Sequence, residues 1–139
     1  MNTKTLVGGL ITGVLAFLLG WLIFGMLLMN YYQSNINSYA GLMKDPMEIW
    51  AIAVANLAFG LLMAYVFNLG NVNTPGKGFT TGLILGLLMA VTFDLFLYAQ
   101  YNLMNKKLIG VDIVATAVFD GVLGAVLGWW FGRGKKAAA

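Results

Sequence analysis

The chain of 139 residues is 60% hydrophobic and only 9% charged, which leaves too little polar surface for a soluble domain of this size. With no cysteine, no histidine and only two serines, Ser34 and Ser38, it excludes disulfides, thiolate chemistry, imidazole metal ligands and nucleophilic triads. The formal net charge of +3 comes from basic residues standing singly or in short clusters, without the interleaved patch a polyanion groove needs, so no nucleic-acid partner is expected.

No residue is charged between Lys4 and Lys44, nor between Glu48 and Lys77, and each interval exceeds the ~20 apolar residues that cross a bilayer as a helix. The apolar run from Leu6 to Met29 is far longer than the ~7 to 15 residues of a signal-peptide core, so it is read as a first spanning helix, about 5–29. It carries the small-residue rows Gly9-Gly13 and Thr12-Ala16-Gly20. Tyr31 and Tyr32 then mark an interfacial belt before a polar loop. Asp45 as a cap and Pro46 in a first turn announce the second helix, about 47–67, with the row Asn56-Gly60-Ala64-Asn68.

After a loop rich in Asn and Gly, the third helix, about 79–103, carries the row Gly78-Gly82-Gly86-Ala90-Asp94. A tight connection from Asn105 to Gly110 makes the fourth helix, about 111–131, its antiparallel neighbour. That helix repeats the pattern with Asp120-Gly124-Gly128-Gly132. The glycines Gly60, Gly78, Gly82, Gly86, Gly124, Gly128 and Gly132 are expected to be helix-packing positions, since small residues let backbones approach closely in lipid. Residues 1–136 thus form one four-helix transmembrane domain, and Ala137 to Ala139 read as a cloning scar.

Five basic residues (Lys4, Lys77, Arg133, Lys135, Lys136) on the side of the termini oppose three (Lys44, Lys106, Lys107), which places both termini in the cytoplasm. A shift of 64 positions lays Glu48–Phe67 over Asp112–Phe131 without a gap, matching Gly60 with Gly124 and Asn56 with Asp120. Gly9-Leu10-Ile11-Thr12-Gly13 aligns less securely with Gly82-Leu83-Ile84-Leu85-Gly86. The fold class expected is therefore an all-α membrane protein of four transmembrane helices, built as two repeated hairpins about a pseudo-twofold axis along the membrane normal.

Counted from the expected helix ends, Asp94, Asp120 and Asn56 fall in one layer near mid-membrane. An ionisable group at that depth costs about 2.5 to 3.5 kcal/mol on insertion scales and turns inward to a partner or a wet cavity. The layer is either a static hydrogen-bonded clasp or a proton or cation site; two carboxylates there cannot both stay charged cheaply, so one should hold a proton. No cofactor is expected, and two aspartates make no metal-ligand cluster.

The segments Gly20-Trp21, Ala64-Tyr65-Val66, Gly82-Leu83-Ile84-Leu85-Gly86 and Gly124-Ala125-Val126-Leu127-Gly128-Trp129 give the chain its likeness to a known group. It resembles a bacterial family of small four-helix inner-membrane proteins of unknown function. The resemblance implies topology and a bacterial inner membrane, and it transfers no catalytic residue. Three functions follow as expectations. The first is a non-enzymatic module that packs through its glycine faces against itself, as a homo-oligomer, or against a membrane-protein partner within the lipid bilayer. The alternative is a proton- or cation-coupled small transporter or channel using Asp94 and Asp120. An enzyme acting on lipid is the third.

Overall fold

The computed structural model describes residues 2–133. Among them are five α-helices, α1 (Thr3–Leu22), α2 (Met29–Asn35), α3 (Ile49–Leu69), α4 (Pro75–Gln100) and α5 (Lys106–Gly132), with a π-helical turn, Ile23–Leu27, between α1 and α2. Four stretches, Thr3–Leu27, Ile49–Leu69, Pro75–Gln100 and Lys106–Gly132, are long and apolar enough to cross a membrane, as in an integral membrane protein. Lys135, Lys136 and Ala137 to Ala139 lie outside the described residues.

Helix ends follow capping chemistry more closely than they follow the apolar runs. The start of α4 is Pro75 rather than residue 79, because Thr74 Oγ1 accepts from the Lys77 N–H and Pro75, lacking an N–H, suits a first turn. The start of α5 is Lys106 rather than residue 111, because Asn105 Oδ1 accepts from the Leu108 N–H at 2.9 Å. The sequence reading fails at α3, where Asp45 and Pro46 lie ahead of a helix that begins at Ile49 without a side-chain cap. It also fails after α1. The Leu28 N–H reaches back five residues to the Ile23 carbonyl at 2.8 Å, and this π turn lets the chain continue as α2 through the stretch read as loop.

Hydrogen bonds tie the end of α2 to the α4–α5 connection. Asn37 donates through its backbone N–H to the Leu103 carbonyl (2.7 Å) and through Nδ2 to the Asn102 carbonyl (2.7 Å), and Asn105 Nδ2 donates to Asn35 Oδ1 (2.8 Å). At the opposite end of the bundle Lys4 Nζ donates to the Phe131 and Arg133 carbonyls (2.9 and 2.7 Å), placing a cation on the negative end of the α5 dipole. Trp130 Nε1 returns a bond to the Lys4 carbonyl at 3.1 Å.

The extensive contacts are α1 with α3 and α4 with α5; α1 also lies on α5, and α3 and α4 barely meet. Lipid tails are as apolar as leucine, so these contacts rest on close backbone approach rather than on escape from water. A Cβ at Gly60 would strike the Gly9 carbonyl and the Gly13 nitrogen, and one at Gly124 would strike the Gly78 carbonyl and lie 3.0 Å from Gly82 Cα. Gly82 abuts the Asp120 carbonyl, Gly128 the Thr74 carbonyl and Gly132 the Asn73 carbonyl. The small-residue rows of α4 and α5 therefore face each other, and those of α1 and α3 do the same. Between the two hairpins sits an apolar core that includes Ala16, Met63, Phe67, Phe119, Leu123 and Leu127.

Leucine at Gly60 or Gly124 is expected to lower the midpoint of thermal unfolding in detergent, at an overpacking cost of about 1–3 kcal/mol. Leucine at Gly110, where a Cβ would meet nothing within 4 Å, should be tolerated. Equal midpoints for all three variants would remove close approach as the basis of the bundle.

Candidate functional site

Asp94 on α4 and Asp120 on α5 are buried, at 6% and 2% exposure, and both line one cavity of about 280 Å³. The cavity lies where the hairpins meet: α4 and α5 supply most of its wall, Phe59 of α3 closes one side, and Phe24 of the π turn closes another. The small residue Gly86 makes room for Asp120, since a Cβ there would come within 2.6 Å of Asp120 Cβ and Oδ2.

That contact sets the depth of Asp120 and corrects the single polar layer. Asp120 lies level with Gly86, eight residues and roughly 12 Å along α4 from Asp94, so the two acids share the cavity without meeting. The acid that stands beside Asp94 is Asp112. The early start of α5 explains the difference: it carries Asp112 about 9 Å inside the helix rather than at its rim, to the depth Asp94 has below the end of α4. Asp112, Thr116 and Asp120, four residues apart, form a row on α5 along the cavity wall.

Asn56 does not belong to this site. Its Nδ2 donates to the Ile52 carbonyl of its own helix at 2.8 Å, and it faces a separate apolar groove with Phe17, Trp21 and Met47. Phe24 and Phe119, in edge-to-face contact with ring centres 5.7 Å apart, border both spaces and divide them. Depth along a helix, the basis of the expectation, says nothing of direction around its axis.

Of the two oxygens of Asp94, Oδ2 is buried with no hydrogen-bond partner. Nothing basic lines the cavity, whose titratable groups are the three aspartates. Among the described residues no three acidic side chains converge to hold a metal ion, so the acids are strung along a wall rather than gathered around a point. From α2, the Tyr32 hydroxyl donates to Asp112 Oδ1, and the Tyr32 ring stacks edge-to-face on Phe24 at 6.1 Å. Asp112, Thr116 and Tyr32 are thus members of the site beyond those the sequence singled out. The polar row on α5 was visible as spacing, whereas Tyr32 depends on the π turn that brings α2 back over the bundle.

Burial pushes the Tyr32 phenol above its ordinary range, and the bond to Asp112 and the charges of Asp112 and Asp94 push the same way. A raised pKa leaves stability intact below the unfolded phenol's value of about 10 and removes it as the pH rises beyond that value. Thermal midpoints of the wild type should therefore fall above about pH 10, and the Tyr32→Phe variant should fall less. Parallel alkaline slopes would show that the phenol is not held.

Compared with family models, curated proteins and solved structures, the chain matches none.

Proposed function

We propose that this protein is a non-enzymatic integral membrane protein that handles protons or cations at the carboxylate cavity between its hairpins, as a small coupled transporter. The observation that carries this reading is the partnerless Oδ2 of Asp94, buried in a cavity that two further aspartates line. A static clasp would pair its polar atoms, because an unmet group in hydrocarbon is costly. An acceptor left open beside a cavity fits a ligand that comes and goes. The glycine faces lend less support to a function carried by them alone, since the rows of α4 and α5 are engaged with each other inside the chain.

The architecture proposed around the site is a duplicated hairpin, α1–α3 and α4–α5, with an axis along the membrane normal. In its favour, Gly60 contacts a residue pair four apart, Gly9 and Gly13, and Gly124 contacts another such pair, Gly78 and Gly82. These contacts favour Gly9 over Gly78, one turn from the Gly82 register that the local sequence match suggests. A homo-oligomer in a bacterial inner membrane, with both termini cytoplasmic, completes the reading. The apolar outer face of α4, with Leu88 and Phe96 exposed, is open to lipid or to a second copy.

In proteoliposomes, Asp94→Asn should keep the fold and abolish pH-dependent flux, since an amide donates a hydrogen bond but releases no proton in this range. Asp94→Leu should also lower the thermal midpoint. Wild-type flux in a folded Asn variant would overturn the reading. For orientation, Ser38→Cys should react with an impermeant thiol reagent in spheroplasts and Lys77→Cys should not; the reverse pattern would place the termini outside.

A further inference from the structure

We infer that the cavity is a one-sided, water-filled half-channel whose ligand is the proton, with Tyr32 and Asp112 at its mouth and Asp120 at its inner end. This inference rests on the proton-or-cation reading of the site and narrows it.

The first support is the arrangement of the acids. Asp112, Thr116 and Asp120 run down one wall of the cavity for about 12 Å, with Asp94 facing the wall from α4 near its outer end. A dehydrated metal ion needs several oxygens around one point, and no such gathering exists among the described residues. A proton needs only a succession of groups within reach, directly or through water. The cavity's ~280 Å³ is many times the ~10–15 Å³ one water requires, and within its largely apolar wall Asp94, Asp112, Thr116 and Asp120 offer that water partners.

The second support is the way the two ends differ. At the mouth, Tyr32 donates to Asp112, and the bonds of Asn35 and Asn37 to the α4–α5 connection hold the segment carrying it. Below Asp120 the way is shut by Met63, Phe67, Leu123 and Leu127, all buried. The titratable groups that line the cavity are Asp94 from α4 and Asp112 and Asp120 from α5, and Tyr32 of α2 joins them through its bond to Asp112. The π turn and α3 contribute Phe24 and Phe59, which do not titrate, and Lys106 and Lys107 at the outer start of α5 are exposed and do not line the cavity.

The steps balance as proton hand-overs. A hydronium ion gives its proton to the Asp112 carboxylate and leaves as water. The Asp112 acid donates to the Asp94 carboxylate across their contact and returns to a carboxylate. The Asp94 acid then passes the proton through water to Asp120 and is itself restored, and Asp120 returns to a carboxylate by giving the proton to water on the side of the termini when the apolar seal at Leu123 and Leu127 parts, the coupled transport step that the proposed function already requires. Tyr32 acts as a positioning residue that holds the Asp112 carboxylate toward the mouth.

The test uses the full chain in two measurements. Since the chain has no cysteine, Thr116→Cys reports water directly: it should react with a small impermeant thiol reagent from the Ser38 side, whereas Leu127→Cys should not. In proteoliposomes the wild type should carry protons and not sodium or potassium, and Asp112→Asn should slow this flux. Tyr32→Phe should slow it about tenfold, the scale of one hydrogen bond to a charged group, and move the midpoint of its pH profile. An unreactive Thr116→Cys means a dry cavity and overturns the half-channel whatever the flux. Proton flux that Asp94→Asn abolishes but Tyr32→Phe and Asp112→Asn leave unchanged in rate and pH profile overturns this mouth alone and spares the underlying reading. Flux of sodium or potassium in place of protons overturns the choice of ligand. Absence of flux for every ion overturns the underlying reading together with this one.

Discussion

Backbone contact between α4 and α5 sets the position of everything else in this protein. Within lipid, apolar side chains gain little by leaving the bilayer for each other, so two helices hold together where their surfaces meet closely. Gly78 and Gly82 against Gly124, with Gly82 against the Asp120 carbonyl, bring the two backbones into direct contact. Once that register is set, Gly86 falls beneath the Asp120 carboxyl, and Asp94, two turns further along, reaches the level of Asp112. The glycines and the acids are thus one device. Small residues determine where the carboxyls stand and leave the space they stand in.

A second constraint acts at the α2 end of the bundle. The π turn adds a residue to the first span, turns Phe24 toward the cavity and directs α2 back across the bundle. Phe24 then contacts Phe119 on one side and Tyr32 on the other, so the same ring helps Phe119 divide the cavity from the neighbouring groove and supports the tyrosine bonded to Asp112. Asn35 and Asn37 secure the segment with bonds of ordinary length to the α4–α5 connection, in a region where backbone groups outside helices still need partners.

The four spans, their hairpin pairing and the packing faces were legible because charge-free runs and four-residue spacings are direct imprints of a bilayer and of a helix. Helix starts were less so. Read from apolar runs alone, α5 begins at Val111 and Asp112 sits at the membrane rim; the Asn105 cap moves the start to Lys106 and carries Asp112 inside. The spacing Asp112, Thr116, Asp120 held a signal that the depth estimate overrode. Asn56 shows the opposite error, since a plausible depth placed it with the acids while its direction around α3 points it into another groove. Tyr32 had no readable signal, because no apolar periodicity encodes a π turn.

The depths of the three aspartates also order their costs. Asp94 and Asp112 lie about 9 Å from helix ends, nearer the headgroup region, where a charge costs less than at the centre of the bilayer. Asp120 lies roughly 21 Å below the start of α5, the depth at which a charge costs most, and it is the more buried of Asp94 and Asp120. Two acids nearer the surface and a single acid in the interior, with Thr116 between them on α5 and Leu123 and Leu127 buried beneath, make a gradient of cost along one wall. A protein built only to hold its helices together would have no use for such a gradient, because glycine contacts already accomplish that.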